Sequence, residues 1–252
     1  MKKYDVESCE ILRKEQLTED IFDVTVRSRM AKAAVPGQFA HIFVPGKTLR
    51  RPISICEIGE ETLRFVFQIR GDGTRILAES RVGDFWDILV PLGNGFTLGD
   101  LSRKVCFVGG GIGVPPLLEA AKRFGRNATV ITGFRNAGAV ILQEDFKRAG
   151  CSLILTTDDG SAGEHGLVTV FLPEDCREIF ACGPTPMLKA LQAEAEKRGI
   201  PCQISLEERM ACGVGACLGC ACKLRADTES GWRYGHVCKD GPVFDARLVD
   251  FT

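Results

Sequence analysis

Four cysteines near the C-terminal end constrain this 252-residue chain more than any other feature. Cys212, Cys217 and Cys220 have the spacing C-x4-C-x2-C, and Cys238 follows after seventeen intervening residues. This spacing is typical of a loop that wraps one iron–sulfur cluster and that a distant fourth cysteine closes. The pattern therefore predicts that these four cysteines bind a [2Fe-2S] cluster.

The residues between the cysteines favour the same structure. Gly213, Gly215 and Gly219 give the backbone the freedom to turn its N–H groups toward the sulfurs. Cys222 leaves the choice of third ligand formally open, and Cys220 is preferred because it preserves the x4, x2 spacing. Zinc is the alternative metal, although structural zinc sites usually begin with a shorter C-x2-C.

The composition is that of an ordinary globular protein. Hydrophobic residues make up 45% of the chain and charged residues 26%, and the net charge of -1 gives no reason to expect nucleic acid as a partner. No apolar run reaches the roughly 18 residues that a membrane span needs, and the N-terminal residues lack the apolar core of a signal peptide. We expect a cytoplasmic protein without a membrane partner, in which scattered cysteines are buried hydrophobes rather than disulfides.

Three regions with different patterns indicate an α+β multidomain fold. Residues 1–100 alternate apolar and polar positions between glycine and proline turns, which predicts an antiparallel β-barrel. Residues 101–204 alternate apolar strands with helical segments, which predicts an α/β domain with a parallel sheet. Residues 205–252 are rich in glycine and cysteine and too few to build a core alone, so they are predicted to form a small [2Fe-2S] domain.

Glycine-containing loops follow the predicted strands of the second region. Gly109–Gly113 lies between a strand and a helix predicted over 115–124, where backbone N–H groups can face a pyrophosphate, although a plain tight turn is the alternative. Thr132-Gly133 and Cys182-Gly183-Pro184 end two further strands, so all three loops are expected at one edge of the sheet. Asp158–Ser161 is either a fourth such loop or an ordinary turn.

The order of several motifs resembles the ferredoxin reductase family, in which a flavin-binding barrel precedes a nucleotide-binding α/β domain. These motifs are R-P-I-S at 51–54, G-T at 73–74, G-G-G-I-G-V-P-P at 109–116 and C-G-P at 182–184. The segments L-E-E-R-M-A-C-G-V-G-A-C-L-G-C and V-C-K-D-G-P-V-F are similar to the electron-transfer subunits of dihydroorotate dehydrogenase B. The resemblance covers essentially the whole chain.

The resemblance implies two sets of cofactor-binding residues. The set implied for FAD is Arg51, Pro52, Ile53, Ser54, Gly73 and Thr74, with Phe67 and Gln68 on the strand before the G-T turn. Many relatives have an aromatic residue and an arginine on that strand, so the sequence departs from the pattern at Phe67 and Gln68. The set implied for NAD is Gly110, Gly111, Gly113, Cys182, Gly183 and Pro184.

The resemblance also implies a function and a partner. A separate catalytic subunit oxidises dihydroorotate at its FMN, and this chain carries the electrons through [2Fe-2S] and FAD to NAD+ for pyrimidine biosynthesis, in a heterotetramer of two copies of each subunit. No catalytic residue for dihydroorotate is expected in this chain. The alternatives are the flavin and NAD(P)H subunit of a ferredoxin-dependent or bifurcating oxidoreductase, and a zinc-stapled nucleotide-sensing module without redox activity.

Smaller details of the sites are less constrained. NAD is preferred over NADP by resemblance alone, since Arg135 is either a solvated charge or a contact for a 2′-phosphate. Among the three histidines, His236 lies two residues before Cys238 and is a candidate to tune the cluster through its N–H. His41 is interpreted as a strand residue.

Overall fold

A closed antiparallel barrel forms the N-terminal part of the chain. In the computed structural model, which describes residues 4–251, six strands close the barrel in the order β1-β2-β5-β4-β3-β6. Their bounds are β1 Asp5–Gln16, β2 Ile21–Arg27, β3 Phe39–Ile42, β4 Arg51–Ile58, β5 Thr62–Gln68 and β6 Phe85–Leu92. Helix α1, Asp72–Glu79, lies between β5 and β6 in the chain. Val24, Val26 and Phe65 are fully buried in the barrel core, as the alternating pattern predicts.

A seven-stranded sheet forms the second part, with the order β10-β9-β8-β7-β11-β12-β15. The strands are β7 Val105–Gly110, β8 Ala128–Phe134, β9 Ser152–Thr157, β10 Glu164–His165, β11 Ile179–Cys182, β12 Cys202–Ser205 and β15 Val243–Asp245. All neighbours are parallel except β12 and β15. The chain moves outward from β7 to β8 and β9, and later returns to place β11 on the other side of β7. The sheet therefore reverses its winding between β7 and β11.

Three α-helices accompany this sheet, with bounds α2 Leu118–Phe124, α3 Gln143–Arg148 and α4 Thr185–Arg198. Helix α4 is followed by Gly199 with φ of 66°, the left-handed conformation that commonly terminates a helix. The helix predicted from Pro115 differs, because residues Pro115–Leu117 form a 3-10 turn and α2 begins only at Leu118. A first 3-10 turn over Gly111–Gly113 precedes it, so the glycine loop is not itself the N-terminus of an α-helix.

The C-terminal part packs onto the other two. Strands β13 Ala221–Arg225 and β14 Trp232–His236 form a hairpin, and β15 then joins the large sheet beside β12. Cys220 and Cys238 are buried in one hydrophobic cluster with Phe39 and Leu92 of the barrel and Val108 of the sheet. The residues near the predicted cluster thus share a core with their neighbours. Within residues 4–251, no helix has both the length and the apolar character to cross a membrane.

A buried ion network joins the barrel to the sheet domain. The Arg64 guanidinium on β5 bonds to Asp23 of β2 at 2.8 Å, to Glu57 of β4 at 3.1 Å and to Asp145 of α3 at 2.6 Å. Burial disfavours the charged forms of Glu57 and Asp145, but the facing cations outweigh it and lower the pKa of both carboxyls. Because α3 belongs to the second part of the chain, Arg64 fixes the position of the barrel against it.

Candidate functional site

The loop after β12 turns its backbone N–H groups toward the sulfurs of the predicted ligands. Three of these groups donate to the sulfur of Cys212 over 3.2 to 3.4 Å, those of Val214, Ala216 and Cys217. The N–H of Gly215 donates to the sulfur of Cys238 at 3.1 Å, and the N–H of Cys238 donates to that of Cys220 at 3.4 Å. Such donors stabilise negative charge on sulfur, which is what the loop around an iron–sulfur cluster must do.

The four thiols are arranged as two pairs. The Cys217 thiol lies beside that of Cys212 and lowers its pKa, and the Cys220 thiol lies beside that of Cys238 and raises its pKa. In residues 4–251, no three His, Cys, Asp or Glu side chains gather where a single metal ion could bind. In a two-iron cluster each iron takes two protein ligands, and two neighbouring pairs of thiols match that requirement. The donor set therefore fits a [2Fe-2S] cluster.

The acidity of these thiols differs. Burial opposes ionisation of Cys212, but the backbone N–H groups and the Cys217 thiol outweigh it and lower the pKa of Cys212 to about 6. Burial and the neighbouring Cys220 raise the pKa of Cys238 to about 12. The loop thus favours the thiolate form of Cys212, while the more apolar environment of Cys238 favours its thiol form.

Two of the three expected glycines have the predicted backbone role. Gly213 has φ of 72° and Gly215 has φ of 82°, which is the left-handed region that favours glycine. Gly219 does not have a positive φ, and Leu218 takes that conformation instead with φ of 58°. The Leu218 side chain is 60% exposed, so an apolar side chain in an uncommon conformation stands beside the exposed Cys217.

The residues implied for FAD include a small anion-binding arrangement on the barrel. Arg51, at the start of β4, lies against Gly73 in the first turn of α1, where a Cβ atom would come within 2.6 Å of the guanidinium carbon. Thr74 holds this turn, because its hydroxyl accepts from the N–H of Arg70 at 2.8 Å and donates to the carbonyl of Gly71 at 3.1 Å. An arginine beside a helix N-terminus fits the pyrophosphate of FAD.

The other residues implied for FAD are distributed differently. Pro52 and Ser54 pair with His41 and Phe39 of β3, so these four side chains share one face of the barrel. Ile53, on the opposite side of β4, packs against the barrel core. This places Pro52 and Ser54 next to the face that contacts the cysteine-rich part.

Phe67 and Gln68, the two residues that depart from the family pattern, lie in different environments. Phe67 is 2% exposed and stacks on Phe22 with ring centroids 6.1 Å apart, so its side chain belongs to the barrel core. Gln68 donates to Asp20 at 2.6 Å and lines the large cleft described next. Only Gln68 of this pair presents a side chain to a ligand-sized space.

A cleft of about 910 Å³ lies where the sheet reverses its winding. Its lining includes Gly110, Gly111 and Gly113 after β7, and Gly183 and Pro184 after β11. Open α/β sheets bind ligands at the carboxyl ends of the strands at such a reversal. The two loops predicted for the nucleotide therefore meet at one place.

Close backbone packing explains the glycines of these loops. A Cβ on Gly113 would overlap the carbonyl group of Cys182 and lie 2.7 Å from Cα of Gly183, and one on Gly110 would lie 2.8 Å from the ring of Pro184. Cys182 itself is 2% exposed, and burial raises the pKa of its thiol to about 12, so its side chain is not part of the cleft wall. The loops approach each other through the backbone.

Several residues that the sequence did not single out also line the cleft. They are Arg70 from the barrel, Leu206, Glu207 and Glu208 after β12, Ala221 and Lys223 on β13, and Asp250 and Phe251 near the C-terminal end. Cys222 is there too, and Arg135 and Asp158 line it from the ends of β8 and β9. The signal for Arg70 was its place three residues before Gly73 of the G-T turn. The cleft residues of the C-terminal part have no such signal in the sequence, because they reach the cleft only when that part folds back onto the sheet.

His41 is a further residue to which the sequence alone assigned no role in a site. It is fully buried on β3, and neither ring nitrogen meets the geometry of a hydrogen bond within the described residues. Burial, then the nearby Arg50, lowers the pKa of His41 to about 4, although the backbone of Cys212 acts in the opposite direction. The His236 ring lies with its Nδ1 atom 3.7 Å from the Asp240 carboxylate.

Comparisons with known proteins identify the same parts. Residues 207–250 match a family model described as the iron–sulfur cluster binding domain of dihydroorotate dehydrogenase B. The chain is 42% identical to the electron transfer subunit of dihydroorotate dehydrogenase B (NAD(+)) from Caldanaerobacter subterraneus subsp. tengcongensis, covering 96% of this chain and 97% of the relative. It is 39% identical to the corresponding protein of Streptococcus mutans, again with 96% and 97% covered.

Solved structures give the fold. A chain of an NADH-dependent reduced ferredoxin-NADP oxidoreductase, studied for flavin-based electron bifurcation, matches with a TM-score of 0.83 and 31% identity, covering 96% of this chain and 90% of that one. The ferredoxin reductase in carbazole 1,9a-dioxygenase matches 79% of this chain and 67% of its own with a TM-score of 0.66 and 21% identity. The second match supports the barrel-and-sheet fold alone.

Proposed function

The chain belongs to the family of electron-transfer subunits of NAD-dependent dihydroorotate dehydrogenase B, and we propose from that premise which residues serve each step. It is an oxidoreductase subunit whose cofactors are FAD, a [2Fe-2S] cluster and NAD. When bound, FAD joins the one-electron chemistry of the cluster to the two-electron chemistry of NAD+. The resemblance inferred from the sequence motifs is confirmed.

The observation that carries the proposal is the pairing of the four thiols beneath the backbone N–H groups. We assign Cys212, Cys217, Cys220 and Cys238 as the cluster ligands. The exposed Cys217 is on the solvent side and the buried Cys220 and Cys238 are on the side of the shared core. Electrons from the partner can therefore reach the proposed cluster at its exposed side, at Cys217. The buried side of the cluster, at Cys220 and Cys238, is packed against the protein core.

Two further sets of residues are proposed to bind FAD and NAD. Arg51, Gly73 and Thr74 are proposed to hold the pyrophosphate of FAD, while Pro52, Ser54 and Gln68 position the rest of the molecule. Phe67 is proposed to act through its backbone, because its side chain is buried. The backbones of Gly110, Gly111, Gly113, Gly183 and Pro184 are proposed to bind the nicotinamide nucleotide in the cleft, with Cys182 as a buried support.

The partner of this chain is a catalytic subunit, since the relatives are named as the electron-transfer subunits of a larger enzyme. We propose that this partner carries FMN, oxidises dihydroorotate and joins two copies of this chain in a heterotetramer. The resulting NADH formation belongs to pyrimidine biosynthesis. No residue of this chain is assigned to chemistry on dihydroorotate.

The test is anaerobic purification with quantification of flavin, iron and zinc, followed by an absorption spectrum and EPR after dithionite reduction. One FAD and two irons per chain with a reduced [2Fe-2S] signal are expected. Adding the catalytic subunit from the same genome should give NAD+ reduction that depends on dihydroorotate. Zinc without flavin would contradict the proposal.

A second candidate function rests on one observation, the TM-score of 0.83 and 31% identity with a chain of a bifurcating ferredoxin-NADP oxidoreductase. It predicts that the purified chain supports NADH oxidation coupled to ferredoxin with a different partner. Activity with reduced ferredoxin and none with dihydroorotate would favour this candidate.

A further inference from the structure

His41 is a fully buried polar side chain, and neither Nδ1 nor Nε2 makes a hydrogen bond of normal geometry among residues 4–251. The backbone of Cys212 and that of Arg50 lie near enough to favour a proton on the ring, which places the ring beside the cysteine loop. Buried polar atoms in proteins are rarely left unpaired, and each exception calls for a bound partner or a functional role. Something that binds at this point is the natural partner for the ring.

The surroundings of His41 indicate which group that partner is. The ring lies directly against the cysteine loop, because a Cβ on Gly213 would be 2.7 Å from Nδ1 of His41 and 3.2 Å from Leu92. Gly213 immediately follows Cys212, and its φ of 72° turns the loop over the ring. The nitrogen Nδ1 therefore faces the loop that holds the predicted cluster ligands.

The other side of His41 faces the predicted flavin strand. Strand β3 places Ala40 and Ile42 in the barrel core, while Phe39 packs in the hydrophobic cluster that contains Cys220 and Cys238. His41 alternates with Ala40 and Ile42 and so shares the side of Phe39. It is also directly paired with Pro52 of the R-P-I-S segment.

We propose that His41 is a positioning residue whose Nδ1–H donates a hydrogen bond to a sulfur of the [2Fe-2S] cluster, at the contact between the cluster loop and the flavin-binding face. This inference rests on the proposed cluster. A neutral imidazole has one N–H to donate, and a donor to sulfur stabilises the extra negative charge of the reduced cluster. His41 thus raises the reduction potential of the cluster and favours acceptance of an electron from the partner.

His236, the histidine that the spacing favoured, is the weaker candidate. Its side chain is 20% exposed, and its Nδ1 already lies 3.7 Å from the Asp240 carboxylate. His165 is exposed on β10 and bonds through Nε2 to the carbonyl of Asp158 at 3.0 Å. These two histidines provide controls in the same chain.

The experiment measures the potential of the cluster by EPR-monitored redox titration of the full chain in complex with its catalytic subunit. His41→Leu removes the N–H and keeps an apolar side chain, and we expect reduction to become about tenfold less favourable, a shift of roughly 59 mV for one electron. His41→Gln keeps an N–H donor and should restore most of the potential. His165→Gln should match the wild type.

A second measurement tests the hydrogen bond in the wild-type protein, so it does not depend on whether His41→Leu assembles its cluster. Reduced wild-type protein carrying ¹⁵N-labelled histidine should show a weak coupling between the cluster and a histidine nitrogen in pulsed EPR. This coupling should vanish in His41→Gln and persist in His236→Gln. Its absence from the wild type, or its persistence in His41→Gln, would overturn the inference.

The outcomes separate the inference from the proposed function. A wild-type protein without two irons and one flavin defeats the proposed function itself. A fully loaded His41→Leu variant with the wild-type potential, or a shift no larger than that of His165→Gln, defeats only the role of His41.

Discussion

Cys217 is the exposed member of the four thiols, and Cys222 lies close to them in sequence without being hydrogen-bonded to any of them. Burial raises the pKa of Cys222 to about 11, and its side chain lines the nucleotide cleft rather than the cysteine loop. This position supports the proposal that Cys220, rather than Cys222, is the third ligand, a choice that the spacing left open. The two residues form a matched pair for a test.

Replacing Cys217 by serine should abolish the visible absorption and the EPR signal of the cluster, because a serine hydroxyl is a poor substitute for a thiolate ligand. FAD should stay bound, since Arg51 and Gly73 lie on the barrel. The measurement is iron and flavin content with EPR of the reduced protein. Cys222→Ser is the control and should keep its cluster, and a loss of iron in that variant would move the third ligand to Cys222.

Gly73 is a position at which a single methyl group should disturb flavin binding. A Cβ there would overlap the Arg51 guanidinium and displace it from the helix N-terminus. We expect Gly73→Ala to weaken FAD binding about tenfold, which corresponds to roughly 1.4 kcal/mol. Titration of the flavin-free protein with FAD, followed by flavin fluorescence, gives the dissociation constant.

Gly71 is the control for this substitution. An added Cβ at Gly71 meets nothing within 4 Å, and its φ of 168° is extended backbone that any residue adopts. Gly71→Ala should therefore bind FAD like the wild type. Equal affinities of the two variants would show that Arg51 does not contribute through this contact.

At the scale of elements, local patterns predicted the strands and helices well but not their arrangement. The apolar runs at 105–108, 128–132 and 179–182 lie in β7, β8 and β11, and Pro186 and Gly199 mark the two ends of α4. Local sequence does not encode strand order. The reversal of the winding direction between β7 and β11 is therefore visible only in the folded sheet. The three-residue strand β15 escaped notice because it is too short to show alternation.

The same limit applies to the candidate site. The cysteine spacing and the glycine loops are local patterns, so the sequence alone was enough to propose them. His41 and Arg70 meet the cysteine loop and the cleft only through contacts with residues far along the chain. A lone histidine on a strand has no local pattern that distinguishes it from a structural residue. The exact limits of the three predicted domains remain predictions.

The link between β2, β5 and α3 depends on Arg64, and this link can be tested directly. Its guanidinium neutralises Asp23, which is 1% exposed, so Arg64→Leu would leave a buried carboxylate with only the 3.3 Å contact to Arg13. Removing one partner of a buried ion pair typically costs about 3 kcal/mol or more. We expect a loss of that size in the free energy of unfolding measured by urea denaturation.

Arg148→Leu is the control, because this arginine also bonds to Asp145 at 2.9 Å but its side chain is 74% exposed. Exposed ion pairs contribute less than about 1 kcal/mol. A similar loss of stability in both variants would mean that the buried network does not hold the barrel to the sheet.

At the scale of the whole molecule, the barrel contacts both the cysteine-rich part and the nucleotide cleft. On one side, Asn94 after β6 donates to the carbonyls of Lys239 and Asp240, each at 3.0 Å, and His41 contacts Gly213. On the other side, Gln68 and Arg70 reach the cleft wall. The FAD residues are proposed on this barrel, so a flavin bound there would be near both the cysteine-rich part and the cleft.

This arrangement requires the barrel and the sheet to stay in contact, and acid should separate them. Asp145 and Glu57 have pKa values below their ordinary 3.8 and 4.5 because Arg64 and Lys122 face them. A carboxyl with a lowered pKa stabilises the folded state above its unfolded pKa and loses that contribution as the pH falls through its folded pKa. The free energy of unfolding should thus be level down to about pH 5 and fall below about pH 4.

Urea denaturation from pH 7 to pH 3 would measure this fall, and Arg64→Leu is the informative variant. Without its guanidinium, the pKa of Asp145 in the folded protein moves toward or above its unfolded value, so the part of the acid-dependent loss due to this carboxyl should disappear. Arg148→Leu should keep most of the wild-type slope. An unchanged slope in Arg64→Leu would place the acid sensitivity in other carboxyls and would remove the buried network as the pH-dependent link between the two parts of the electron path.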